Sequence, residues 1–110
     1  MLFDTHRRGK CLLISFNKDI DARSDISELL PTVQEALRDN TTRLAIAFTP
    51  NSYLYSKTIA VLVRCMNTVH EEGGDVFVIS SNPKLIEALN MLHLDRMLTV
   101  CSSVEELPEA

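Results

Sequence analysis

The feature that most constrains the fold is a regular alternation between short apolar runs and longer amphipathic segments. Four apolar runs have the length of strands, at residues 10–16, 43–49, 76–79 and 97–101. Between and after them, apolar residues recur at the spacing of one helix face. This alternation is typical of a largely parallel sheet with crossover helices. We therefore expect an α/β fold, a single domain over residues 1–110 with a mixed, largely parallel central sheet of four or five strands and about four helices.

Capping and turn residues predict where the first helix begins. Ser24 or Asp25 is expected to cap it, and Asp25 with Glu28 three residues later resembles a capping box. Pro31 lies inside this predicted helix, where it should cause a kink. The core face of the helix would comprise Ile26, Leu29, Leu30, Val33 and Leu37.

The later helices carry their own boundary signals. The second helix should stop at residues 73–74, a Gly-Gly pair typical of a helix C-terminus. Asn82 followed by Pro83 predicts the start of the third helix, with asparagine as the cap and proline at the first helical position. A short terminal helix is expected from Ser103, and residues before Gly9 allow an edge strand. The third helix would bury Leu85, Ile86, Leu89 and Leu92.

Composition argues against several functional classes. The net charge is -4 and the basic run at residues 6–8 is short, whereas nucleic-acid binding needs clustered Lys and Arg. No apolar run approaches the ~20 residues of a membrane helix. The first ten residues lack the apolar core of a secretory signal. We therefore expect a cytoplasmic protein that binds no nucleic acid and does not insert into a membrane.

The cysteines and histidines are too scattered to predict a disulfide or a metal site. The cysteines are far apart, form no CxxC pair and each lie in an apolar stretch, so we expect buried, reduced thiols at Cys11, Cys65 and Cys101. The histidines show no ligand spacing, and no metal site is expected at His6, His70 and His93.

The loops expected at the carboxyl ends of the strands, where α/β proteins place their sites, carry no recognisable catalytic motif. There is no GxxxxGK[ST] or GxGxxG, and Gly9, Gly73 and Gly74 lie outside these loops. No serine occupies a nucleophile elbow. The strand ends at residues 48–50 and 79–81 lack the aspartate of a receiver-type phosphoacceptor. We therefore expect no enzymatic activity and no cofactor.

Ser56 is the most suggestive single residue, and it has two interpretations. It lies in a hydroxyl-rich stretch, residues 49–58, just before the predicted second helix. As an N-cap its oxygen would accept from the first turn, and replacing it with Ala would cost about 1 kcal/mol. As a phosphorylation site it would place a phosphate against the free N–H groups and the positive end of the helix dipole. The local sequence favours the cap.

Three segments of the sequence match one known family. Residues 18–21 read Lys-Asp-Ile-Asp after the first long strand, where the family has Gly-Glu-Leu-Asp. Residues 44–48 and 53–62 follow as a strand, a short loop and the start of a helix, and residues 89–106 match a closing helix, strand and helix. On these segments, the chain from Ile14 to the C-terminus resembles the STAS domain, the fold of bacterial anti-sigma factor antagonists.

The resemblance implies a signalling protein that docks onto a partner serine kinase or anti-sigma factor and regulates transcription. In such antagonists, phosphorylation of a serine at the start of the second helix releases the partner, and by position this serine is Ser56. Where the family has Asp-Ser-Ser-Gly, residues 55–58 read Tyr-Ser-Lys-Thr. An antagonist switched by phosphorylation and a permanently unphosphorylated variant are therefore both compatible with the sequence. The partner-binding residues expected on this basis are Asp19, Asp21, Ser52, Tyr53, Tyr55, Ser56, Lys57 and Thr58.

Two further functions stay open. One is a STAS-like structural subunit of a regulatory or transport assembly. The other is a sensor of a small molecule or nucleotide in the same loop cleft, although no phosphate-binding glycines lie there. Domains that resemble this one occur singly and in assemblies, so a monomer and a homo-oligomer are both compatible with the sequence.

Overall fold

The protein is described by a computed structural model over residues 2–107, which contain five strands and three α-helices. Two short 3-10 turns, at Leu94–Arg96 and Val104–Glu106, precede and follow the last strand. The α/β fold is confirmed, with three α-helices in these residues where about four were expected. In chain order the elements are β1 (Phe3–Arg8), β2 (Cys11–Phe16), α1 (Leu29–Arg38), β3 (Arg43–Ala47), α2 (Ser56–Glu71), β4 (Asp75–Ile79), α3 (Pro83–Met91) and β5 (Thr99–Cys101).

The five strands form one mixed sheet in the order β1-β2-β3-β4-β5. β1 and β2 pair as an antiparallel hairpin, whose turn places Gly9 in the left-handed region at φ 59°. The remaining neighbours pair in parallel. The register aligns Ser15 with Ala47 and Ala47 with Ile79, so β2, β3 and β4 end at the same level. The loops that leave these three strands therefore start side by side.

Both faces of the sheet are apolar, which explains the continuous apolar runs in the sequence. One face packs against all three helices, and the fully buried side chains of this cluster include Ile14, Leu44, Ile46, Leu29, Val33, Leu62, Met66, Leu85 and Leu89. The other face carries a smaller cluster, against which partly buried Val104 and Leu107 pack. That cluster comprises Cys11, Leu13, Ala45, Phe77, Ile79 and Cys101.

The three cysteines are free and buried, as predicted. Burial disfavours the charged thiolate and raises the pKa of Cys11 and Cys101 above the usual value. Burial likewise raises the pKa of the Cys65 thiol to about 12, although Arg64 opposes the shift. These thiols are core residues with little thiolate character.

The predicted start of α1 was wrong. The helix begins at Leu29, because the polar side chains ahead of it stabilise turns instead of capping a helix. The Asp25 carboxylate accepts from the Ser27 N–H at 2.9 Å, and no capping box with Glu28 forms. Pro31 consequently lies in the first turn of α1, where its missing N–H costs no helical hydrogen bond. The expected kink has no basis there.

The ends of α2 and α3 follow the local signals more closely. After α2, Gly73 donates to the His70 carbonyl and Gly74 to the Val69 carbonyl, a Schellman motif with Gly73 at φ 75°. The Asn82 side chain caps α3 as predicted. Leu92 was wrongly assigned to the core: α3 ends at Met91, and the Leu92 side chain is 49% exposed.

The last predicted strand and helix are both shorter than expected. β5 begins at Thr99, because Leu94–Arg96 forms a 3-10 turn and Met97 follows it. Ser103 does form a capping box with Glu106, but the segment makes only one 3-10 turn within the described residues.

Candidate functional site

Three loops meet at the edge of the sheet where β2, β3 and β4 end. They comprise residues 17–28 before α1, residues 48–55 before α2 and residues 80–82 before α3. This edge is the usual position of binding sites in parallel α/β sheets. The partner-binding residues expected from the sequence all lie in the first two loops or in the first turn of α2.

Ser52 links the first two loops from a buried position. Its side chain is fully buried, and its Oγ accepts a hydrogen bond from the Ile20 N–H at 2.9 Å. The Ser52 and Thr49 hydroxyls lie 2.6 Å apart, and Thr49 Oγ1 donates to Asp19 Oδ1 at 2.6 Å. The Tyr53 N–H donates to the Ile20 carbonyl at 3.0 Å. The turn that carries Asp19 is thus hydrogen-bonded to the loop that carries the tyrosines.

Asn82 joins the third loop to the second. Its Oδ1 accepts from the Lys84 N–H at 3.0 Å, which caps α3. Its Nδ2 donates to the Ser52 carbonyl at 2.9 Å, and its N–H donates to Ser80 Oγ at 3.1 Å. The N-terminus of α3 is therefore held against the loop that precedes α2.

Asp21 organises the exposed turn before α1. Its Oδ1 accepts from the Arg23 N–H at 2.9 Å and from the Ser24 hydroxyl at 3.2 Å. Ser24 Oγ in turn accepts from the Asp21 N–H at 2.9 Å. Asp19 and Asp21 are both exposed, so their carboxylates lie on the surface of this edge.

Ser56 is the first residue of α2, and its interpretation as the N-cap was wrong. The N-cap residue is Tyr55, in an extended conformation at φ -105° and ψ 167°, and its side chain makes no capping hydrogen bond. Ser56 is exposed. The first turn of α2 contains no acidic residue, so its free N–H groups meet no carboxylate of their own turn. The hydroxyl of Ser56 is accessible at the positive end of a helix of 16 residues.

Lys57 extends from the same turn toward the loop before α1. Its Nζ lies 4.0 Å from Asp25 Oδ2, and both side chains are more than half exposed. The pKa of Asp25 is lowered first by the hydrogen bonds from Ser27 and then by the charge of Lys57. An exposed pair of this kind is screened by solvent and contributes little to stability.

Tyr53 and Tyr55, in the loop that leads to Ser56, line an open groove. Their ring centroids are 5.3 Å apart with an interplanar angle of 75°, an edge-to-face contact. The groove, about 810 Å³ in volume, runs between this loop and one face of α3. Tyr55 is 43% exposed, and Met91 on the opposite wall is 73% exposed. The remaining lining residues are Pro50, Asn51, Asn82, Lys84, Glu87 and Ala88.

The α3 wall of the groove was missed from the sequence. Lys84, Glu87, Ala88 and Met91 recur at the spacing of one helix face, which was the available signal. The apolar periodicity of the sequence marks the opposite, buried face of α3, where Leu85 and Leu89 lie.

Two of the expected partner-binding residues are buried. Ser52 is 0% and Thr58 is 1% exposed, and Thr58 Oγ1 has no hydrogen-bond partner among residues 2–107. The exposed or half-exposed members of the set are Asp19, Asp21, Tyr53, Tyr55, Ser56 and Lys57. Ser52 and Thr58 underlie this surface and do not form part of it.

Within residues 2–107, His, Cys, Asp and Glu side chains form no group of three or more that could hold a metal ion. Over the same residues, no helix combines the length and the apolar composition needed to cross a membrane.

The family model of the STAS domain matches residues 3–107, which include the whole of this loop edge. The chain belongs to the STAS domain family. No curated protein matches its sequence.

Solved structures of similar fold include anti-sigma factor antagonists. One from Mycobacterium paratuberculosis superposes with a TM-score of 0.74 at 15% identity, covering 94% of this chain and 87% of that one. A putative antagonist from Thermotoga maritima gives 0.72 at 16% identity, covering 94% and 89%. The Bacillus cell fate determinant SpoIIAA, in its phosphorylated form, gives 0.71 at 12% identity, covering 94% of both chains. At these identities the likeness establishes the fold.

Proposed function

We propose that this domain acts by binding a protein partner at the loop edge, not by catalysis. The observation that carries the proposal is the exposure of Met91 and of Tyr55, the residue before Ser56, along an open groove. Aromatic and methionine side chains are enriched at the centres of protein interfaces. Charged side chains of Lys84 and Glu87 line the same groove, and exposed Asp19, Asp21 and Lys57 add charge elsewhere on the loop edge, as in an interface rim.

We propose that the partner is an anti-sigma factor, the class of protein that antagonists of this fold are named for, or a serine kinase. We place the interaction in the cytoplasm. Support comes from the structural likeness to anti-sigma factor antagonists and from the family match over residues 3–107. Recognition would involve Asp19, Asp21, Tyr53, Tyr55 and Lys57, with Ser52 and Thr58 beneath them.

We further propose that phosphorylation of Ser56 switches this binding. The Ser56 hydroxyl is exposed and is not used as a cap, so a kinase could reach it without breaking a helix cap. A phosphate there would add about two negative charges and would meet the uncapped N–H groups of α2. The phosphorylated form of SpoIIAA, with the same fold, is in keeping with such a switch.

A STAS-like structural subunit that is never phosphorylated is the second candidate. Tyr55 occupies the N-cap position, where the family's aspartate would stand, and Lys57 and Thr58 replace its serine and glycine. Lys57 also lies near Asp25, a contact that a phosphate on Ser56 would compete with. These departures favour a constitutive interaction surface.

The two candidates are separated by phosphorylation in vitro. The protein, its Ser56→Ala variant and a Ser27→Ala control at another exposed serine are incubated with candidate kinases from the same organism, and phosphate is located by mass spectrometry. The switch predicts phosphate on the wild type and on Ser27→Ala, none on Ser56→Ala, and loss of the bound partner on phosphorylation. Phosphate elsewhere, or none while a partner stays bound, would contradict the switch and support the structural subunit.

A further inference from the structure

The side-chain hydrogen bonds around Ser52 form a chain in which each hydroxyl accepts from one neighbour and donates to the next. A hydroxyl has a single proton, and Thr49 uses its proton on the Asp19 carboxylate at 2.6 Å. Thr49 must therefore accept from Ser52 across the 2.6 Å contact between their hydroxyls. Ser52 Oγ in turn accepts from the Ile20 N–H at 2.9 Å. The chain of donors thus passes from Ile20 through Ser52 and Thr49 to Asp19.

The backbone of Ser52 adds the third loop to this network. Its carbonyl accepts from Asn82 Nδ2 at 2.9 Å, and its N–H donates to the Thr49 carbonyl at 3.0 Å. The Ile20 and Asn82 contacts each join positions about 30 residues away in sequence. One buried residue therefore holds the three loops of the edge together.

We propose that Ser52 is a positioning residue, which fixes the Asp19 turn relative to the Tyr53–Tyr55 loop and the start of α3 so that the exposed surface is held as one unit. Because the link is made by hydrogen bonds of fixed direction, loss of the Ser52 hydroxyl leaves the Ile20 N–H without its acceptor and Thr49 without its donor. The proposal deepens the proposed function and rests on it for partner binding. The coupling between loops does not depend on any partner.

Amide hydrogen exchange and ¹⁵N NMR of the isolated protein test the coupling. In Ser52→Ala, exchange of the Ile20 amide should accelerate about tenfold beyond the change explained by global stability. Amide shifts should change at residues 18–21 and at Asn82 as well as near residue 52. The matched control is Thr41→Val, which removes another buried hydroxyl, one that accepts from Arg7 at 2.7 Å on the opposite side of the molecule. Thr41→Val should leave Ile20 and Asn82 unchanged.

A second variant keeps the test informative if Ser52→Ala does not fold. Thr49→Val cuts the link to Asp19 and retains the Ser52–Ile20 contact, so its shift changes should extend to Asp19. Shift changes confined to residues next to each substitution, with Ile20 exchange unaltered, would overturn the positioning role. Once a partner is known, Ser52→Ala should weaken its binding about tenfold. Intact loop coupling with no partner bound by the wild type would overturn the proposed function alone.

Discussion

The side chain of Asn82 makes two hydrogen bonds in opposite directions, one of them to Ser52. Its Oδ1 caps α3 by accepting from the Lys84 N–H at 3.0 Å, while its Nδ2 donates to the Ser52 carbonyl at 2.9 Å. The residue that begins α3 therefore also secures the loop before α2. Local helix capping and assembly of the site depend on the same amide.

Because Asn82 has this double role, we expect Asn82→Ala at the start of α3 to lower the free energy of unfolding more than Ser56→Ala at the start of α2. Asn82→Ala removes both hydrogen bonds and should lower the free energy of unfolding by about 1–2 kcal/mol. Ser56→Ala removes no cap, since Ser56 lies inside α2, and should stay within about 0.5 kcal/mol of the wild type. Urea unfolding at pH 7 measures both. A loss on Ser56→Ala as large as that on Asn82→Ala would mean that Ser56 does cap the helix.

Replacing Gly73 or Gly74 after α2 with alanine should lower the stability of the fold by different amounts. A Cβ on Gly74 would lie 2.6 Å from the backbone oxygen of Thr42 and 2.8 Å from Val69 Cγ1, so Gly74→Ala should cost about 2–3 kcal/mol. A Cβ on Gly73 would have no atom of the described part of the chain within 4 Å, and Gly73→Ala should cost about 1 kcal/mol through its positive φ alone. The midpoints of denaturant unfolding measure which variant loses more stability. A larger loss for Gly73→Ala than for Gly74→Ala would contradict this account of the turn.

Burial of Cys65 predicts an inert thiol. With a pKa of about 12, its thiolate fraction at pH 8 is roughly a thousandfold below that of an exposed cysteine. In a Cys11→Ser, Cys101→Ser background, an aromatic disulfide reagent should react with Cys65 far more slowly in the folded protein than in concentrated urea. Similar rates in the two conditions would show that Cys65 is accessible.

The hydrogen bonds to the Glu106 carboxylate predict that the stability of the fold depends on pH in the acidic range. Its Oε2 accepts from the Ser102 hydroxyl at 2.7 Å and from the Ser102 and Ser103 N–H groups, which hold the pKa of the carboxyl below its usual 4.5. Because the folded pKa is depressed, this stabilisation is present above the unfolded value and is lost as pH falls through the folded one. The difference in stability between the wild type and Glu106→Gln should therefore be largest near pH 6 and shrink below pH 4.5. A difference that stays constant down to pH 3 would contradict the assignment.

The sequence predicts elements well where the signal is local. The Asn82-Pro83 pair and the Gly-Gly pair at residues 73–74 each specify a helix boundary by interactions within a few residues of it, and both boundaries are as expected. The start of α1 was not predictable in this way, because Asp25 serves a turn as readily as a helix cap.

The same distinction applies to the site. The alternation of strands and helices predicts that the loops carrying Asp19, Asp21 and Ser56 share one edge of the sheet, and the parallel register brings these loops together there. Burial of Ser52 depends on contacts with Ile20 and Asn82, which no local pattern encodes. The Met91 wall of the groove likewise depends on how α3 packs beside the loop before α2.

The central claim, that the edge around Tyr55 binds a protein, is tested most directly by quantitative affinity capture from an extract of the source cells. Immobilised wild type is compared with Tyr55→Ser and with Glu71→Gln, an exposed control at the far end of α2. The account predicts a protein captured equally by the wild type and Glu71→Gln and reduced about tenfold or more on Tyr55→Ser. Equal capture by all three, or no protein retained above the blank resin, would contradict it.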